Sequence, residues 1–272
     1  MAVHFAGLVD AEKTVRGRRM PVPRSRRLVV DLLHYRAKVP TCAHDRMCDF
    51  GRVDELRQRC PVRISWSMIF IKAFGLVARR YPALRQMYLP LPWPHIYQHP
   101  TSVAMVATHR DFQDEPWLFW SRFNRPESRS LPYLQTILER YQTAPVEEVF
   151  PWQYQLSGLP TPVRRLLWSW TFYVGGPARV RRAGTFFLTT IAGQGAEIQH
   201  PPAFLTANAT YGPIDERGKC RVTIAYDHRL MDGRLVAGVL ADLEAALSGP
   251  IAAELESISA GQMPSVGLKR TA

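Results

Sequence analysis

The chain has 272 residues, of which 46% are hydrophobic and 21% charged, proportions typical of a globular protein with a sizeable core. No low-complexity linker or internal repeat divides the chain, so we interpret it as a single domain. Its most apolar segments, residues 66–81 and 166–175, fall short of the roughly 20 apolar residues that a membrane span needs. Residues 1–20 also lack the continuous apolar run of a secretory signal.

The pattern of apolar residues, capping residues and prolines predicts the elements in chain order. Helices are expected over residues 25–35, 53–60, 65–81, 130–142, 161–176 and 235–247, the last ended by Gly249 and Pro250. Strands are expected from residue 41 and over residues 95–99, 102–108, 117–123, 185–191, 204–211 and 220–226. The mixture indicates an α/β protein, with a flexible arm over residues 1–20 and a loose tail over residues 260–272.

The formal net charge is +12 and is unevenly distributed. Residues 1–40 carry nine lysine and arginine residues against three acids, and residues 157–196 carry five arginines and no acid. Such a field attracts coenzyme A phosphates, acidic carrier proteins, anionic lipid or nucleic acid, although a solvated basic surface without a specific partner is an equal alternative. Because no helix-turn-helix, zinc-finger or RNP signature accompanies the charge, no nucleic-acid partner is predicted.

The cysteine and histidine patterns give no strong metal or disulfide signal. The four cysteines form no C-x-x-C pair, which favours a reducing, cytoplasmic location. His95 and His99 are four residues apart without an evident third ligand, and Cys42, His44 and Cys48 form a similarly weak set. We therefore predict no metal site.

The segment 161–176 is unusual because it is almost wholly apolar after Arg164 and Arg165. A helix that is apolar all round is usually buried. The two arginines before the aromatic run and the three between residues 179 and 182 after it are instead typical of an interfacial anchor. The sequence leaves open two interpretations: packing in the core or a subunit contact, and contact of residues 161–182 with a membrane surface or a lipid-like substrate.

The most informative motif is Tyr-Asp-His-Arg-Leu-Met-Asp-Gly at residues 226–233, which joins the last predicted strand to the last predicted helix through a turn. His228 has the side chain best suited to accept a proton near neutral pH. Asp232 could hold the turn through backbone N–H groups or an arginine, and Gly233 permits a backbone conformation closed to other residues.

This motif resembles the H-x-x-x-D-G signature of the chloramphenicol acetyltransferase-like superfamily, and most closely that of the dihydrolipoamide acyltransferase catalytic domains of 2-oxo-acid dehydrogenase complexes. The run Gly-Thr-Phe-Phe-Leu-Thr-Thr at residues 184–190 is similar to the Gly-Thr-Phe-Thr-Ile-Ser strand of those enzymes. The segments 25–40 and 65–81, the latter with its Ile-Lys-Ala run, resemble their first helices. The likeness covers roughly residues 20–250.

The resemblance implies a two-layer α/β fold with a mixed sheet, a catalytic domain over residues 21–259 and assembly as a trimer, in some relatives as a larger cage. It implies that His228 is the general base, that the Thr189 hydroxyl donates to the oxyanion, and that Asp232 pairs with an arginine of the first helix, here Arg26. Those two catalytic side chains are then far apart in one subunit and meet across a subunit contact. No permanent cofactor is implied, and a coenzyme A thioester or an acyl carrier is the expected co-substrate.

Two features separate this chain from the dehydrogenase-complex enzymes. It has no room for their lipoyl and subunit-binding domains, and its aromatic 161–176 segment is unlike theirs. We therefore expect a free-standing acyltransferase that uses a thioester donor. The alternative is a catalytically inactive relative that forms an oligomeric scaffold or docks on a membrane surface.

Overall fold

The protein is described by a computed structural model that covers residues 18–261. The predicted arm (residues 1–20) and tail (residues 260–272) lie almost entirely outside the described residues. The helices are α1 Arg24–Arg36, α2 Gly51–Arg59, α3 Trp66–Arg80, α4 Leu131–Thr143, α5 Val146–Val149, α6 Pro151–Gly158, α7 Thr161–Tyr173, α8 Gly176–Ala183, α9 Gly233–Ala246 and α10 Ala252–Ser259. The strands are β1 Thr41–Asp49, β2 Gln86–Leu89, β3 His95–Gln98, β4 Val103–Phe112, β5 Glu115–Asn124, β6 Phe186–Leu188, β7 Ala207–Tyr211 and β8 Lys219–Asp227.

Every predicted helix and strand has a counterpart in the structure, most of them shifted at their ends by a few residues. The prediction missed β2 and the short helices α5, α6, α8 and α10. Prolines begin α6 and stand in the first turn of α8, where a missing N–H costs nothing. Their short apolar stripes are too brief to stand out in the sequence.

Six strands form one mixed sheet in the order β1-β8-β7-β6-β4-β5, and β2 pairs with β3 in a separate hairpin. The pairs β4–β6 and β6–β7 are parallel, and the remaining pairs in the six-stranded sheet are antiparallel. The predicted α/β class with a mixed sheet and packed helices is therefore confirmed.

Helices cover both faces of this sheet. On one face, Phe186 and Leu188 of β6 are buried against α3, α9 and α10 in the largest core cluster. On the other face, the neighbouring Phe187 packs with α1 and α7 in a second cluster that includes Trp168. Burying each such side chain contributes about 1.5–3 kcal/mol. The prediction was of two layers. The structure has a third, because α1 and α7 pack on the second face of the sheet at its β4–β5 end.

Helix α7 has one buried face and one exposed face. It buries Trp168 and Phe172, while Leu166 is 71% exposed and Trp170 is 57% exposed. Helix α7 thus packs one face in the core and turns a second apolar face outward, and both interpretations from the sequence, a packed or subunit-contact helix and a membrane or lipid contact, stay open for that outward face.

A buried ion pair joins α7 to α1. The Asp31 carboxylate, fully buried on α1, accepts hydrogen bonds from Arg164 Nε at 2.7 Å and from Arg165 Nε at 2.8 Å. The Arg164 side chain is only 5% exposed, and that of Arg165 is 28% exposed. This contact fixes the position of α1, whose C-terminal end leads to Pro40 and the His228 turn described below.

The final helix does not end at Gly249 and Pro250 as predicted. Helix α9 passes through one π-helical turn, Leu247–Ile251, and continues as α10. The wider turn accommodates Pro250 inside the helix. By length and composition the whole helix, Gly233–Ser259, could cross a membrane, but 39% of its most apolar window is buried and its apolar side chains belong to the main core cluster.

Candidate active site

His228 stands immediately after β8, on a turn held by its backbone. Its N–H donates to the Pro40 carbonyl oxygen at 2.9 Å, which ties the turn to the segment between α1 and β1. The preceding Asp227 is buried and accepts from Arg229 Nε at 2.9 Å and from Arg229 Nη2 at 2.6 Å. The His228 ring is exposed and makes no hydrogen bond within residues 18–261. The fold thus presents an unengaged imidazole on a fixed turn.

Asp232 has a different role from the one that the resemblance implied. Its carboxylate accepts from the Leu235 N–H at 2.8 Å and so caps the N-terminus of α9. No arginine among residues 18–261 lies within ion-pair distance of it. Arg26 is exposed in the first turn of α1, whereas the opposite end of α1 is the one that leads to Pro40 and the turn. The pairing of Asp232 with Arg26 is therefore wrong for the single chain.

Gly233 lies close to the His44 side chain and has no unusual backbone conformation. Its φ lies outside the left-handed range, contrary to the expectation from sequence. A Cβ at this position would lie 2.9 Å from His44 Nε2. His44, on the edge strand β1, also lies 5.5 Å from the Tyr226 ring, centroid to centroid, and its buried Nδ1 has no partner in the described structure.

Tyr226 lies between His44 and the His228 turn. Its ring centroid is 5.8 Å from that of His228, and its buried hydroxyl has no hydrogen-bond partner among residues 18–261. No pattern in the sequence connects His44 with this turn, because only the β1–β8 pairing brings them together. Among the described residues no group of three histidine, cysteine or acidic side chains could hold a metal ion.

Thr189 follows β6 and continues its ladder, since its N–H donates to the Ala209 carbonyl at 3.1 Å. Its half-buried hydroxyl makes no hydrogen bond within the described chain. The register places Thr189 level with Thr210, which pairs with Thr223 of β8, five residues before His228. That is about 17 Å along the strands and about 10 Å across two strand spacings. One chain therefore holds the two side chains at opposite ends of the sheet, as expected.

A small pocket adjoins the His228 turn on the side of α1 and α7. Its walls include Val39, which precedes Pro40, and Arg229, which follows His228. Its lining also includes four aromatic residues and two further cations: Tyr35, Tyr88, Phe172, Tyr173, Lys38 and Arg179. Sequence reasoning missed this pocket, because its residues come from five separate segments and no motif connects them.

The comparisons with solved structures agree with one another. The dihydrolipoamide acetyltransferase of Azotobacter vinelandii is 17% identical, with a TM-score of 0.62 over 93% of this chain and 100% of that one. A truncated catalytic core of the 2-oxoacid dehydrogenase complex of Thermoplasma acidophilum is 15% identical, with a TM-score of 0.62 over 86% and 99%. A probable dihydrolipoamide acetyltransferase of Listeria monocytogenes is 14% identical, with a TM-score of 0.57 over 85% and 94%.

No model of a known protein family matches the sequence, and no curated protein matches it. The solved structures define the fold: the chain has the fold of dihydrolipoamide acyltransferase catalytic cores. The resemblance drawn from residues 184–190 and 226–233 is thereby confirmed. At these identities the likeness concerns the fold, and the reaction must be argued from the side chains.

Proposed function

We propose that this chain is an acyltransferase that moves an acyl group from a thioester carrier to a thiol, hydroxyl or amine acceptor, with His228 as the general base. The observation that carries the proposal is the unengaged His228 imidazole on a turn fixed through Pro40 and Asp227. The exposed ring is accessible to a substrate, and the fixed turn holds it in one place. Because the fold is that of an acetyltransferase, acyl transfer is the reaction that we assign to this histidine.

The solved structure of the Azotobacter vinelandii enzyme supports the choice of residues. It was determined to examine a serine, a histidine and an asparagine in the catalytic mechanism, the asparagine four residues after the histidine. This chain has Asp232 four residues after His228, and Thr189 supplies a hydroxyl in place of the serine. The departure at Asp232 fits its role as a helix cap, which asparagine can also fill.

The proposed reaction needs no permanent cofactor. His228 removes the proton from the acceptor, whose lone pair attacks the thioester carbonyl. The Thr189 hydroxyl donates to the oxygen that becomes negative, an interaction whose loss typically costs about 2.7–4 kcal/mol in the transition state. When the tetrahedral intermediate collapses, the C–S bond breaks and the imidazolium returns its proton to the departing thiolate. The products are the acylated acceptor and the free thiol of the carrier.

We further propose that the site is shared between subunits of a trimer. Because His228 and Thr189 lie at opposite ends of one sheet, a single carbonyl can reach both only if they come from different chains. Three equivalent contacts about a threefold axis would create three sites. Larger cages of such trimers would leave this arrangement unchanged.

The donor is proposed to be acyl coenzyme A or an acyl carrier, which suits the basic character of the chain. A cytoplasmic location belongs to the same proposal and is supported by the four cysteines, all of which are free thiols in the structure.

The proposal is tested by measuring release of free thiol from a panel of acyl-coenzyme A donors in a metabolite extract. His228→Ala should reduce transfer by about 10²–10⁴-fold without changing the oligomer. Full activity of His228→Ala would end the mechanism.

Subunit mixing tests the shared site. His228→Ala and Thr189→Ala subunits are unfolded, mixed in equal amounts and refolded together. If each site takes one residue from each neighbour, about a quarter of the contacts will pair two intact residues. Activity well above that of either variant alone is expected. A monomer in solution, or a mixture no better than the average of the two variants, would refute the shared site.

A second candidate function is a non-enzymatic scaffold that assembles or docks on a membrane. The observation in its favour is the outward apolar face of α7, with Leu166 and Trp170 exposed beside the half-exposed Arg165. Anionic vesicles separate the two cases: Trp170→Gln should abolish vesicle binding by a scaffold and should leave acyl transfer intact in an enzyme that does not use the membrane.

A further inference from the structure

Arg179 is a buried cation without a carboxylate partner. Its side chain lies inside the pocket beside the His228 turn, and the residue is only 4% exposed. Its guanidinium makes two long hydrogen bonds, Nη1 to the Tyr88 carbonyl at 3.3 Å and Nη2 to the Phe204 carbonyl at 3.4 Å. Its Nε has no partner, and no carboxylate in the described part of the chain lies within ion-pair distance. A buried charge is costly unless it is paired.

The surrounding charges do not neutralise it. Asp227 is engaged with Arg229, whose guanidinium also lies 4.4 Å above the Tyr88 ring. Lys38, at the rim of the pocket, lies 5.7 Å from the centroid of the Tyr173 ring and has no acidic partner among residues 18–261. The pocket thus combines three cations with one carboxylate. Burial lowers the pKa of Arg179 to about 10, with the charge of Asp227 opposing that change, so the guanidinium stays protonated at neutral pH.

A second unpaired donor lies at the same place. The Tyr173 hydroxyl is buried and has no hydrogen-bond partner in the described structure. By contrast, the neighbouring Tyr35 hydroxyl is fully engaged, with the Arg165 carbonyl at 2.7 Å and Ser169 Oγ at 2.8 Å. Arg179 Nε and the Tyr173 hydroxyl are therefore two buried hydrogen-bond donors without an acceptor in the described structure, and both residues line the same aromatic pocket.

The size of the pocket limits what can enter. Its cavity is small, about 40 Å³, which favours a compact anionic group. A carboxylate, with three heavy atoms, is smaller than a phosphate, with five. The planar guanidinium is also the side chain best matched to a carboxylate.

We propose that this pocket binds a carboxylate group of a substrate, held by Arg179, Tyr173 and Lys38 beside the His228 turn. The inference that the carboxylate belongs to the donor or the acceptor of acyl transfer rests on the proposed function. The proposed binding of a carboxylate in the pocket does not depend on that function. An acidic acyl chain or an amino-acid-like acceptor would place its charge here and its reacting atom toward the turn.

The experiment measures binding by ligand-observed NMR and by thermal shift, with butyrate as the probe and butyramide as its neutral analogue. The unaltered chain should bind butyrate, and butyramide at least about tenfold more weakly, because a charge-assisted hydrogen bond is lost. Tyr173→Phe should weaken butyrate binding by several-fold while keeping the ring. Arg179→Met should remove the preference for butyrate, and Lys38→Gln should weaken it. Arg217→Gln, which removes an equal charge from the exposed turn after β7, is the matched control.

The outcomes separate this inference from the proposed function. Butyrate binding that is weakened in Tyr173→Phe and Lys38→Gln supports the pocket even if no acyl transfer is found. Equal binding of butyrate and butyramide, or inorganic phosphate binding more tightly than butyrate, would overturn it. If Arg179→Met fails to fold, unchanged butyrate binding by both other pocket variants would still overturn it. Acyl transfer that depends on His228 and shows no preference for acidic substrates would leave the proposed function intact and overturn the assignment of the bound carboxylate to the donor or the acceptor.

Discussion

Asp31→Asn should destabilise the protein more than any surface substitution. Asp31 is fully buried and receives two guanidinium groups, and Arg164 has a side chain only 5% exposed. The amide keeps the shape but leaves the Arg164 charge without a partner, a change that typically costs about 3–5 kcal/mol. The partly exposed Arg165 can turn to water and adds little. For a domain of this size, about 2–4 °C of melting temperature is lost per kcal/mol. The expected decrease is about 6–20 °C.

The measurement is chemical and thermal unfolding at a fixed protein concentration, since oligomers unfold in a concentration-dependent manner. Asp45→Asn is the matched control: Asp45 also pairs with an arginine, Arg221, but both side chains are nearly half exposed. That pair should contribute less than about 1 kcal/mol. Replacing both buried partners, as in Asp31→Leu with Arg164→Met, should recover most of the loss. A loss below about 1 kcal/mol in Asp31→Asn would refute the assignment of a strong buried pair.

Three further predictions concern single side chains. Thr189→Ala should lower kcat with little change in KM, because in the proposed mechanism its hydroxyl acts chiefly in the transition state; a rise in KM alone would indicate a ground-state contact. Asp232→Ala should cost about 1 kcal/mol in unfolding experiments, whereas Asp232→Asn, which can still cap α9, should be nearly neutral; equal losses in both would contradict the cap. Burial raises the pKa of Cys48 to about 12 and that of Cys220 to about 11, so a thiol reagent at pH 8 should label the half-buried Cys42 and Cys60 first, as mass spectrometry can show.

The sequence predicted the elements well where a long apolar pattern met a clear stop. Helix α3 shows this best, because its apolar run is long, nearly all of it is buried, and Pro82 follows it. Pro250 misled the prediction at the other end of the chain. A proline normally ends a helix, but here the π-helical turn keeps its backbone in register with the core contacts of Ile251 and Leu255. Tertiary packing outweighed the local preference.

The candidate site shows a similar division. The position of His228 on a turn between a strand and a helix was readable from residues 226–233, because strand, turn and helix signals follow one another there. The role of Asp232 was readable as well, since an aspartate just before an apolar-periodic helix is a common cap; the family pattern drew attention to Arg26 instead. His44 and Arg179 were not readable, because strand pairing and burial bring them to the site from distant segments.

Because His228 and Thr189 lie at opposite ends of one sheet, the activity would depend on the assembly of subunits and could be used to measure it. If each site needs two chains, a correctly folded but isolated subunit has no turnover, and folding alone is not enough to produce an enzyme. Specific activity would then fall on dilution below the dissociation constant of the assembly, even though circular dichroism showed no change. The cell could regulate such an enzyme through its subunit concentration alone, without any ligand that touches the site.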